Sequence, residues 1–141
     1  MNRIGSLNPN FVWLFALGAT LLGVVSGYVT QGASASVASA VYFGIFTASA
    51  FGATLLTSSG VGRTVLAFLV ASLLSAGGYY FVVASTAQAA TEALGGGGEG
   101  AGMMGAVMGG FVAGVVLLGT FVAGVTGAVA GGRFRAKLQS A

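Results

Sequence analysis

Chemistry needs reactive side chains, and this chain offers few. Its only acids are Glu92 and Glu99, on either side of the four consecutive glycines 95–98. Such a stretch behaves as a flexible linker, so two solvated loop acids are the simpler reading and a cation-attracting mouth the sharper one. Gly100-Ala101-Gly102-Met103-Met104-Gly105 matches the dinucleotide fingerprint letter for letter. The fingerprint works only between a strand and a helix of a βαβ unit, and here it opens an apolar run. A phosphate-binding Walker pattern is absent, since neither Gly60 nor Gly62 is followed by Lys-Ser/Thr. With no cysteine and no histidine, disulfides, thiolate chemistry, Cys-ligated metals, imidazole proton shuttles and the usual haem or chlorophyll ligands are excluded. An enzyme would have to work with Ser, Thr, Tyr, Arg or the two loop acids alone. The expectation is no enzyme, no cofactor and no metal.

The elements that would position these residues are membrane spans. Of 141 residues, 56% are hydrophobic and 5% charged, against about a quarter charged in a soluble domain. Apolar stretches run over 11–30, 36–58, 64–85 and 102–131, each long enough for a hydrocarbon core that takes roughly 20 helical residues. Period-2 alternation, the mark of barrel strands, is missing. The fold class expected is therefore an all-α integral membrane protein, a four-transmembrane-helix bundle forming a single membrane domain. An outer loop occupies 86–101 and a basic tail 132–141. Asn8-Pro9 reads as the start of the first helix, Asn8 capping and Pro9 at the first helical position.

Charge sets the expected direction. Arg3, Arg63, Arg133, Arg135 and Lys137, all of the basic residues, fall on one side of a four-span arrangement, and the positive-inside rule makes that side, with both termini, cytoplasmic. A plasma (inner) membrane of bacterial type is the expected location. Tyr28, Tyr42, Tyr79 and Tyr80 map toward the outer half and Trp13 toward the inner interface, as in interfacial belts. Arg3, the apolar run to Val29 and Ala33-Ser34-Ala35 also resemble a signal peptide. The run is long for that role, so an uncleaved span is expected.

Membrane helices associate by close packing, which favours small residues on the contact face. Ala19, Gly23 and Gly27 recur at four-residue spacing in the first span. Ser36, Ala40, Gly44, Ala48 and Gly52 form a ridge in the second, about 24 Å long at 1.5 Å per residue. Ala67, Ala71 and Ser75 follow in the third. The fourth has Gly102, Ala106, Gly110 and Gly114, then Thr120, Gly124, Ala128 and Gly132. The ridge of the second span stands clear of its bulky residues and reads as a true contact face; glycine is so frequent in the fourth that no single face is assigned.

No Asp, Glu, His, Lys or Arg lies within the four spans, which removes the central residue of most ion-coupled transporters. Ser and Thr in the spans can line a polar path or bond to their own helix, the second being the commoner use. Arg63, Arg133, Arg135 and Lys137, with Arg3, are expected to orient the chain and meet lipid headgroups; nucleic acid would need a larger basic surface. The expectation is a small structural or accessory subunit of a larger membrane assembly. Its partners would be membrane lipids and other membrane subunits or copies of itself. The alternative is a homo-oligomeric channel lined by Ser/Thr and glycine backbone.

Overall fold

The computed structural model describes residues 5–30 and 32–140, with the side chain of Tyr28 outside the description; Arg3 also lies outside it. The described chain is all-helical: α1 (Phe11–Val29), α2 (Ala35–Leu56), α3 (Val61–Ala93) and α4 (Glu99–Gln139). A lone β-bridge joins Leu7 to Thr57. The helices α2, α3 and α4 are long and apolar enough to cross a membrane, whereas the apolar stretch of α1, Phe11–Gly27, is shorter. Both α3 and α4 run beyond the apolar spans: most of 86–101 is helix, and so is the basic tail as far as Gln139.

Local chemistry explains the helix boundaries. Asn8 accepts a hydrogen bond from the Asn10 amide (2.9 Å), and one turn bridges to α1 at Phe11. Ala33-Ser34-Ala35, the small-residue run of the signal-peptide reading, serves instead as the start of α2: Ser34 is the N-cap and its side chain accepts from the Val37 amide. At the end of α3, Gly95 takes φ +84°. The Gly96 amide donates to Thr91 O (3.1 Å) and the Gly95 amide to Glu92 O (3.0 Å), the paired bonds of a Schellman cap. Gly95→Ala would place a Cβ in left-handed backbone. We expect a loss of about 1 kcal/mol, read as faster amide exchange over Thr91–Gly96 with helix content unchanged.

Contacts divide the chain into two compact units, Met1–Ala71 with Gly119–Ala141 and the intervening Ser72–Leu118. The first unit contains α1, α2, the start of α3 and the end of α4. Phe15 of α1 faces Gly52 of α2, and Gly23 faces Tyr42, so α1 and α2 run antiparallel. Phe43, Thr47 and Phe51 of α2 meet Gly119, Gly127 and Gly131 of α4 in the same order, so α2 and α4 run parallel. Phe68 meets Gly124 and Val61 meets Gly132, so α3 and α4 oppose. Successive helices thus alternate in direction. At the core, Phe46 and Phe68 are buried edge to face, their centroids 6.2 Å apart. The second unit is the hairpin of α3 and α4, in which Gly105 faces Ala84 and Gly109 faces Tyr80.

Candidate functional site

Among the described residues no group of three or more His, Cys, Asp or Glu side chains comes together, and the candidate sites are the small-residue faces and the basic end. The α4 seam is the tightest contact. A Cβ on Gly105 would stand 2.6 Å from the Ala84 carbonyl oxygen, and one on Gly109 2.9 Å from that of Tyr80. In the first unit, a Cβ on Gly131 would lie 2.7 Å from Phe51 O, one on Gly127 would collide with Thr47 O, and one on Gly119 with the Phe43 ring. At Gly105, Gly109, Gly127 and Gly131 the neighbour is a backbone carbonyl, an approach that only glycine permits; at Gly119 it is a ring.

The expected register of α4 is right for one half only. Gly124, against Phe68, and Ala128 are buried in the first unit. Gly110 and Gly114 have nothing within 4 Å of a Cβ; Ala101, Gly105 and Gly109, each one residue before Gly102, Ala106 and Gly110, are the buried ones. In α1, Val12, Ala16, Ala19, Gly23 and Ser26 are buried, alternating steps of four and three. Ala19 and Gly23 belong to this seam, while Gly27 is exposed. The α3 face is as expected: Ala67, Ala71 and Ser75 are buried.

The α2 ridge is not the internal contact face. Ala40, Gly44 and Ala48 are exposed, as is Ser36; a Cβ on Gly44 would meet nothing within 4 Å, while one on Gly52 would stand 3.6 Å from Phe15 of α1. The buried face is Tyr42, Phe46, Ala50, Ala53 and Thr54. The bulky side chains decide the face: Tyr42 lies over Gly23 of α1 and Phe46 packs on Phe68 of α3. Ala48 and Ser49 border an open apolar groove of about 500 Å³ against Leu14, Phe15, Gly18 and Leu22 of α1. Tyr42, expected among the interfacial tyrosines, packs within the first unit. It is buried, its ring over Gly23 and beside Phe43 and Phe46.

The basic end is built from four segments of the first unit. The Gly5 and Leu7 amides donate to Leu55 O and Leu56 O (3.1 and 3.2 Å), and Ser58 N–H donates to Leu7 O (2.9 Å). Arg135 Nη1 donates to Thr57 O (2.8 Å), with its guanidinium lying against Gly5, whose φ is +70°. Arg135 therefore joins the end of α4 to the end of α2, a role that its place in a basic tail did not suggest. Arg63 is exposed and donates to Asn10 Oδ1 (2.7 Å); Arg133 and Lys137 are exposed.

Beneath these lies a hydroxyl cluster. Thr57, Ser59 and Thr64 are all buried. Thr57 Oγ1 donates to Ala53 O (2.6 Å), which uses its one hydrogen. Ser59 Oγ must then donate in its bond to Thr57 Oγ1, and Thr64 Oγ1, 3.4 Å from both Ser59 Oγ and Gly60 O, shares its one hydrogen between those two acceptors. The cluster satisfies itself and ties the α2–α3 turn together. Sequence reasoning missed it, although Thr57-Ser58-Ser59-Gly60 between two apolar runs was the signal.

Comparison with family models, curated proteins and solved structures gives no match. The two acids belong to the second unit. Glu92 accepts from Gln88 Nε2 (3.0 Å) in the last turn of α3, and Glu99 opens α4. The fingerprint residues Gly100–Gly105 lie in helix and follow a capped helix end, the wrong setting for a dinucleotide.

Proposed function

We propose that this chain is a small structural subunit of a larger membrane assembly. The observation that supports this best is the exposed stripe Ser36, Ala40, Gly44 and Ala48 on α2. Lipid tails gain nothing from small residues, whereas an approaching helix does, because its backbone can come close. Flanking Val37 and Val41 are exposed as well and would pack beside such a helix. In this reading all four helices cross the membrane, α1 being the short one, with both termini cytoplasmic in a bacterial plasma membrane. Support comes from the alternating helix directions and from the basic residues gathered with the described chain ends in one unit.

The channel reading is weaker. Thr20, Ser26, Thr47 and Thr54 donate to carbonyls of their own helix, those of Ala16, Gly23, Phe43 and Ala50. Their hydrogens are spent within the helix and not along a path. Native mass measurement after mild-detergent purification tests the proposal. We expect a complex larger than one chain, and Gly44→Leu should release it to monomer while leaving thermal unfolding of the chain within about 0.5 kcal/mol of the original. A lone monomer from native membranes would sink the proposal.

A further inference from the structure

The first unit contains Arg63, Arg133, Arg135 and Lys137 and no acid; Glu92 and Glu99 both fall in Ser72–Leu118. Arg135 is committed to Thr57 O. The other three are exposed, and among the described residues no carboxylate pairs with them. Arg133 and Lys137 stand four apart on the last stretch of α4 and so share a side. Phe134 and Leu138, also four apart, are 47% and 38% exposed on the neighbouring side, and Phe134 lies 5.9 Å from the ring of Phe51. Gly132, just before Arg133, packs on Val61, which lies two residues before Arg63. This end therefore interleaves three uncompensated cations with apolar side chains. A soluble polyanion would meet the cations and offer nothing to Phe134 and Leu138. A phospholipid surface offers both phosphate and acyl chain.

We infer that this end binds the headgroups of acidic phospholipids through Arg63, Arg133 and Lys137, with Phe134 and Leu138 seated at the acyl boundary. This rests on the membrane reading above, and it divides the basic residues: three face lipid and Arg135 holds the fold. The test uses the full chain in neutral detergent, titrated with phosphatidylglycerol or phosphatidylcholine, with bound lipid counted by native mass measurement. Phosphatidylglycerol should bind in preference, and about 1 M salt should abolish the preference because screening then acts within about 3 Å. The variant with Arg63→Gln, Arg133→Gln and Lys137→Gln should weaken phosphatidylglycerol binding about 100-fold, about fivefold per charge, and the two Arg→Lys changes together should keep it. Equal binding of both lipids by the original chain overturns the inference, as does a salt-independent preference. So does displacement of the lipid by a short single-stranded DNA, or a folded triple-Gln variant that binds phosphatidylglycerol unchanged. Recovery of the chain in an aqueous fraction without detergent would instead overturn the membrane reading.

Discussion

Gly127→Ala should destabilise the protein by about 3 kcal/mol, while Gly110→Ala should stabilise it by roughly 0.5–1 kcal/mol. The two substitutions are chemically identical and lie on the same helix. At Gly127 the added methyl meets the Thr47 carbonyl and the Ala50 methyl group. A backbone carbonyl in a helix cannot step aside, so α4 must move off α2, an overpacking cost of about 1–3 kcal/mol and sometimes more. At Gly110 nothing lies within 4 Å, and only the gain in helix propensity remains. Reversible unfolding in mixed micelles reads both values. Equal effects would mean that α4 has no preferred face, the reading its glycine content alone suggests.

Arg135→Ala should cost about 2 kcal/mol, within the range for a hydrogen bond to a charged group, and Arg133→Ala no more than about 0.5 kcal/mol. The asymmetry follows from geometry. Arg135 satisfies the Thr57 carbonyl at the end of α2 and covers Gly5, whereas Arg133 is exposed. Loss of Arg135 should also free the paired segment at Gly5 and Leu7, seen as faster exchange of those two amides. If both arginines served only lipid headgroups, the two variants would match in stability and exchange.

The sequence revealed the helices more fully than their faces. Hydrophobic length located all four, and the small residues of α1 and α3 largely lie where spacing put them. On α2 residue size misled: the bulky Tyr42 and Phe46 turn inward, against Gly23 of α1 and Phe68 of α3, and burial follows Tyr42, Phe46, Ala50 and Ala53 while the small ridge stays outside. In the first part of α4, glycines at both 109 and 110 left two faces equally small, and only the partner's carbonyl at Tyr80 selects between them. Arg135 was indistinguishable from Arg133 and Lys137 as a basic residue in a tail. Its bond joins positions 78 apart in sequence, and no local pattern encodes that.

The division of the chain into units has a consequence for synthesis. Ser72–Leu118 is continuous in sequence and can form as soon as it emerges, since its contacts are local. The other unit is split, and its glycine seam on Phe43, Thr47 and Phe51 belongs to the last helix made. Until α4 arrives, α2 waits with that face unsealed and open to quality-control proteases. Lesions in the seam should therefore show first as a shortage of protein in the cell, before any defect is detectable in the molecules that survive.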